Sequence, residues 1–393
     1  MKKNTKCADA CIKKTSIGGQ ALMEGIMMRG PQTTAMAVIN THGEMVVESF
    51  PTETKQRNKL LKLPIIRGVV NYFDSMSVGT KCLMRSAELS GLEEAEEELR
   101  REKEAKKAKR DAKGTARNKT ESPENTPPVE DNAKTQANEA DEHTSESAEN
   151  IITEKQEKVD KTPDTKKKNS GMITSVLIFS ILLGVVFAVG LFIVLPSLLY
   201  DGASLLLPIL KPEDMAIQSL IKSVFEGIVK ILILIGYMSA ISLMKDIKRT
   251  FMYHGAEHKA IFCYEKGLEL TVENVRMQKR FHPRCGTSFL ILMVLVGIFI
   301  SFFVDPVYAL IFGGPAHTLV RVVIKIALLP LIVGFGYELI KIAGRFDNIV
   351  TRIISAPGVL LQRITTKEPD DQMIECAITA LKKVIPDNDS DKW

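Results

Sequence analysis

Four apolar runs in the second half of the chain, at 172–195, 220–244, 286–304 and 316–340, constrain its fold more than any other feature. Each approaches or exceeds the roughly 20 residues a helix needs to cross the hydrocarbon of a bilayer. A backbone surrounded by lipid must satisfy its own hydrogen bonds, which leaves helices or a closed barrel. Runs this long and continuous read as helices. The expected fold is an α-helical polytopic membrane protein with about four transmembrane helices.

The placement of Lys and Arg orients the spans. Nine of them, from Lys245 to Arg284, lie between the second and third runs, against Lys211 alone between the first two and none between the last two. The first fifteen residues carry no secretory signal pattern. The expectation is a multi-pass protein of the cell membrane, with both termini and the 245–285 loop in the cytoplasm. Charges inside the runs need partners. Glu226 and Arg321 fall at similar depth and are expected to pair.

The remaining sequence suggests a small mixed α/β cytoplasmic cap and a disordered insert. Residues 1–90 hold a Gly/Met-rich stretch at 16–31 and a hairpin of strands 34–39 and 44–50 around Asn40-Thr-His-Gly43. A helix over 60–89 then lies along the membrane surface. Met23, Met27 and Met28 read as a helical apolar patch rather than soft-metal ligands. Residues 91–170 begin with a charged helix at 93–113 and continue as a polar tract too poor in large apolar residues to fold. Such a tether would recruit a protein partner. The bundle occupies 171–344, with the His loop at 245–285, and a cytoplasmic segment occupies 345–393. There Ala356-Pro-Gly358 is expected to break a helix, and Met373, Ala377, Ala380 and Leu381 stripe a final one over 370–384. Six scattered cysteines without a Cys-x-x-Cys pair argue against a disulfide scaffold or zinc ribbon. The partner expected throughout is the lipid bilayer, and no nucleic acid.

The chemistry concentrates in His254-Gly-Ala-Glu257-His258. Two imidazoles at i and i+4 share one helical face and suit a single divalent metal ion such as zinc, with Glu257 as general base toward water. If the second span continued as one helix, these histidines would stand roughly 15–20 Å beyond it; a bend would return them to the interface. Two ligand sets complete the site. His254, His258 and Glu338 with a water make an open, catalytic one. His254, His258, His282 and Cys285 make a closed, structural one. Arg280 and Arg284 flank a helix start at Pro283, where an anion could dock. Glu24 and Arg29 are candidate site-edge residues.

These motifs, together with Gly18–Pro31, Arg67-Gly68, His282-Pro-Arg-Cys-Gly-Thr-Ser-Phe289, Gly336-Tyr-Glu338 and Leu361-Gln-Arg-Ile-Thr-Thr-Lys-Glu-Pro369, resemble the YqhQ-like family of bacterial membrane proteins. That is a group of unknown function labelled a predicted metal-dependent enzyme. The resemblance covers nearly everything except 92–170. It implies that the Gly/Met-rich segment and the two His-containing segments form one working unit. The expected function is a metal-dependent hydrolase at the cytoplasmic interface. The alternatives are a non-enzymatic scaffold or assembly factor with a structural metal, and a transporter using Glu226, Lys230, Arg321 and Lys325.

Overall fold

The Gly/Met-rich segment folds as strands. The computed structural model describes residues 13–52, 58–91, 170–313, 317–346 and 348–392. Strands β1 (Gly18–Leu22), β2 (Gly25–Arg29), β3 (Thr33–Ile39) and β4 (Met45–Pro51) form an antiparallel meander in the order β1-β2-β3-β4. The 40–43 turn joins β3 to β4, with Gly43 at φ 78° and Asn40 Oδ1 accepting from the backbone of His42 and Glu44. Met27 and Met28 obey the two-residue period of a strand, not the helical one: successive side chains enter opposite faces of the sheet. Met27 joins Leu22, Met36 and Val38, whereas Met28 joins Ile26, Ala35 and Ala37.

The rest is helical. The helices are α1 (Ile66–Leu89), α2 (Ser170–Val189), α3 (Leu195–Leu206), α4 (Met215–Ile241), α5 (Lys245–Glu265) and the short α6 (Val272–Arg276). They continue with α7 (Gly286–Phe312), α8 (Thr318–Ala327), α9 (Leu329–Arg345), α10 (Ile349–Thr365) and α11 (Asp371–Lys382). Among the described residues three segments, Leu182–Leu206, Ile217–Ile241 and Gly286–Phe312, are long and apolar enough to cross a membrane. Helices α8 and α9 make a fourth if taken as one span bent by 44°. A π-helical turn at Gly190–Val194 joins α2 to α3 and carries the helix past Pro196, beyond the end expected at 195.

The chain falls into two compact units, Met1–Glu97 with Gly184–Trp393, and Glu98–Leu183. Within the second, the described part is α2 up to Leu183. The charged helix expected at 93–113 and the insert that follows it, with the partner it would recruit, lie outside the described residues.

In the first unit α1 covers one face of the sheet, Cys82 packing among Leu22, Met27, Met36 and Val38. Helices α5 and α11 cover the other, where Tyr253, Ala256, Ala260, Met373, Ala377 and Leu381 meet Ile26, Met28, Ala35 and Ala37. The stripe expected for the last helix is this buried face.

Of the two courses open to the chain after the second span, it breaks: Met244 is extended at ψ 135° and separates α4 from α5. Two expectations need correction. Pro357 lies inside α10 and does not end it; Gly358 lets α10 approach α7, where a Cβ would fall 2.6 Å from the Cα of Ser288. Glu226 does not pair with Arg321. It binds Lys325 and Ser197, at 2.5 and 2.6 Å, with Lys230 at 3.7 Å, while Arg321 binds Asp305. Asp305 lies at the far end of the third span, a separation no helical spacing reveals.

Candidate metal centre

Helix α5 carries the His motif into the cap because its small residues admit neighbours. Gly255 lies directly under the 366–369 segment: a Cβ there would fall 2.1 Å from the carbonyl oxygen of Lys367. The Lys367 amide donates to the Phe251 carbonyl at 2.8 Å, and this crossing brings the Thr365 carbonyl 2.9 Å from His254 Nδ1. On the next turn, His258 Nδ1 stands 2.5 Å from the Arg280 carbonyl. A carbonyl oxygen can only accept, so both Nδ1 atoms carry a proton, and in the neutral rings both Nε2 atoms present a lone pair.

Those lone pairs converge with a thiol. Cys285, the residue before α7, places Sγ 3.0 Å from His254 Nε2. The ligand atoms of His254, His258 and Cys285 lie within 4.8 Å of one another, and all three residues are buried. His258 Nε2 is buried without a hydrogen-bond partner. Backbone carbonyls that fix the tautomer while the opposite nitrogen faces a shared point are the outer-shell pattern of metal ligands. Burial opposes charge at Cys285, but His254 and His258 outweigh it and hold the thiol well below its ordinary range. Burial is likewise outweighed at His254, which the Cys285 thiolate lifts to about 9, so without an ion its Nε2 keeps a proton toward Sγ that ligation would release. The thiolate is the form that ligates and attacks.

Glu257 lines a cavity of about 100 Å³ together with His258, Cys285 and the Gly18-Gly19 backbone. Its Oε1 accepts the Gly19 amide at 3.0 Å, and burial raises its carboxyl above the usual range. Gly19 must be a glycine for β1 to come this close: a Cβ would sit 2.9 Å from Glu257 Cγ and 2.7 Å from the Met27 carbonyl.

The other expected residues are committed to other partners. Glu338 does not join the histidines; both of its oxygens are held by Arg67 of α1. His282 lines the same cavity as Glu257 but stands outside the ligand cluster. Its Nδ1 accepts from the Arg284 amide at 3.3 Å, and its Nε2 faces Glu265 at 3.7 Å. Burial lowers His282 to about 4, so it is neutral. Arg284 binds Glu265 and the Thr15 carbonyl, and Arg280 binds Glu368, which also holds Lys259. Neither is poised for an external anion, because the chain supplies the carboxylates. Glu24, at φ 49° in the β1–β2 turn, ties the sheet to α5 through Arg249 and the Tyr253 hydroxyl. Arg29 contacts the Ser75 hydroxyl at 3.5 Å.

Sequence reasoning missed the supports. Gln362, wholly buried, clasps the His282 backbone from both sides, accepting at 2.7 Å and donating at 2.6 Å. Glu265 gathers the Thr15 amide, Arg284 and His282. The carbonyls of Thr365 and Arg280 are backbone groups and leave no signal in side-chain spacing. The Gly18-Gly19 pair did carry one, as glycines where backbone approaches a site.

The family described as Protein of unknown function (DUF1385) matches residues 63–387, which include the two histidines and Cys285. The chain is 29% identical to the uncharacterized protein YqhQ of Bacillus subtilis (strain 168) over 376 residues, 94% of this chain and 92% of that protein. No solved structure matches.

Proposed function

We propose that this chain, a member of the DUF1385 family of proteins of unknown function, is a multi-pass membrane protein with a hydrolytic divalent-metal centre in a cytoplasmic cap. The observation that carries the reading is His258 Nε2, buried, unpartnered and converging with His254 Nε2 and Cys285 Sγ. Leaving a buried nitrogen unsatisfied costs on the order of 1–3 kcal/mol, which a metal ion would recover. Two imidazoles and a thiolate suit a zinc-like ion, and three protein ligands leave a fourth position open, as in catalytic sites. Cys285 thus takes the place expected of Glu338, and His282 is committed to Glu265.

A divalent ion held by His254, His258 and Cys285 would supply Lewis acidity toward a water or a substrate oxygen. Glu257, facing the same cavity, accepts the proton of the attacking water and returns it to the leaving group. Its raised carboxyl brings it nearer the pH at which a shuttle works best. Gly19 fixes the carboxylate by its amide. The Thr365 and Arg280 carbonyls hold the two rings.

The Lys- and Arg-rich stretch from 245 to 285 favours the cytoplasm for the cap. Leu60, Phe73 and Met76, each more than half exposed, lie on or just before α1, which packs on α9 through Gly68 and Gly334. That apolar surface beside a span suits the membrane interface.

The test is metal content by elemental mass spectrometry on detergent-purified protein. Wild type and Glu338→Gln should hold about one ion per chain by the three-ligand count. His258→Ala and Cys285→Ser should lose it while remaining monodisperse. A metal-free wild type, or retention in both ligand variants, would remove the proposal.

A further inference from the structure

The strand that supports Glu257 also borders a second, larger cavity. About 340 Å³ in volume, it lies between the start of β1, the end of β2 and helix α1, and it shares Ser16, Gly18 and Gly19 with the cavity of His258 and Cys285. Its polar side chains are Ser16, Gln20, Arg29 and Ser75, and no carboxylate lines it.

Arg29 is the cation of this cavity. It stands opposite Gly18 in the β1–β2 register, so the two share a face of the sheet and their Cβ positions are roughly 5 Å apart. The six other described arginines between Arg67 and Arg284 each hold a carboxylate. Among the described residues none is paired with Arg29, whose hydrogen bond goes to a hydroxyl at 3.5 Å. Beside it Gly18 leaves room: a Cβ there would meet nothing within 4 Å. A half-buried guanidinium with free donors, an open space next to it and hydroxyl and amide groups around it suit an oxyanion.

We infer that Arg29, with Ser75, Gln20 and the open face of Gly18, is an oxyanion subsite that takes a phosphate or carboxylate of the substrate. The assignment to a substrate rests on the hydrolytic reading of the metal centre. The anion-binding role expected of Arg280 and Arg284 falls to Arg29, because those two are neutralised by Glu368 and Glu265. The two cavities flank β1, an edge strand of the sheet, and share its Ser16, Gly18 and Gly19. A substrate anchored by its anion at Arg29 would pass round that edge to reach Glu257 and Cys285. The class is a small molecule or chain end bearing an oxyanion a few bonds from the bond that is cleaved.

The test is calorimetric titration of full-length, metal-loaded protein in uncharged detergent with inorganic phosphate and, separately, acetate. Wild type, Arg29→Gln, Arg29→Lys, Gly18→Leu and Cys285→Ser are compared, with metal content and unfolding temperature recorded for each. Wild type should saturate with one anion. Arg29→Gln should weaken binding about 10- to 100-fold, as expected for a lost charge-assisted contact. Arg29→Lys should restore part of it. Gly18→Leu should fill the space and block binding while keeping metal and fold. Preference for phosphate or acetate names the substrate's group. No saturable binding in wild type, or binding unchanged in Arg29→Gln and Gly18→Leu, overturns the subsite. Binding lost in Cys285→Ser alone also overturns it, since the anion would then sit on the metal. Arg29-dependent binding by a protein that holds no metal would sink the hydrolytic reading and leave the anion site standing.

Discussion

Arg67 of α1 grips both carboxylate oxygens of Glu338 on α9, Nε to Oε1 at 2.7 Å and Nη2 to Oε2 at 2.5 Å. One turn along α1, Asn71 donates to the Tyr337 hydroxyl at 2.7 Å. Between these contacts Gly68 faces Tyr337, so the two helices touch closely and Glu338 fastens them. The pair is partly exposed, which screens it to about 1 kcal/mol. Glu338→Gln is therefore expected to keep its metal and lower the unfolding temperature by a few degrees. Loss of the metal in this variant would contradict the choice of Cys285 as third ligand.

Two adjacent glycines should respond oppositely to the same change. Gly19→Ala drives a methyl into Glu257 and the Met27 carbonyl, which are held by α5 and β2 and cannot easily move. It is expected to cost about 1–3 kcal/mol, as overpacking does. At Gly18 the methyl enters open space, and Gly18→Ala should be neutral within about 0.5 kcal/mol. Thermal unfolding of the two variants side by side decides it; equal losses would mean that β1 does not press on Glu257.

Acid should destabilise the cap through Glu265 and His282. Burial opposes charge on Glu265, but the His282 contact and Arg284 outweigh it and hold the carboxyl below its ordinary value. Burial, aided by the neighbouring Arg284 and opposed by Glu265, carries His282 down to about 4 from 6.5. Both groups thus bind protons more readily in the unfolded chain, and stability falls as pH falls. The His282 part is complete above 6.5 and disappears by about 4, at most on the order of 3 kcal/mol; the Glu265 part persists to lower pH. Unfolding temperature should drop between pH 6.5 and 4.5, and His282→Gln should flatten the upper part of that curve. A flat wild-type profile would mean that His282 is charged in the native protein.

The buried charges of the spans should behave as a structural unit. Glu226 binds Lys325 and has Lys230 within 3.7 Å. Glu226→Gln leaves two buried ammonium groups without their carboxylate, a loss of about 3–5 kcal/mol. Adding Lys325→Met should recover part of it. Size-exclusion yield in detergent is the readout, and normal yield for Glu226→Gln would argue that these charges serve a polar pathway.

Much of this protein was legible in its sequence where the signal is local. Hydropathy over a window needs no partner, so the apolar spans and the stripe of α11 could be read directly. The i, i+4 spacing put His254 and His258 on one helical face for the same reason. Strand β2 was harder, because two adjacent methionines serve opposite faces of a sheet that exists only once four strands pair.

The third donor lay beyond such reasoning. Cys285 and Glu338 are both reasonable ligands by type, and both follow the His motif at long range. Arg67, from the first quarter of the chain, occupies Glu338, while the start of α7 brings Cys285 to 3.0 Å from His254. The sequence by itself determined which residues can bear charge, ligate or cross lipid, since those are properties of side chains and short windows. The tertiary structure alone decided which of them meet, because each donor is taken by whichever neighbour packing delivers first, and packing joins residues hundreds of positions apart.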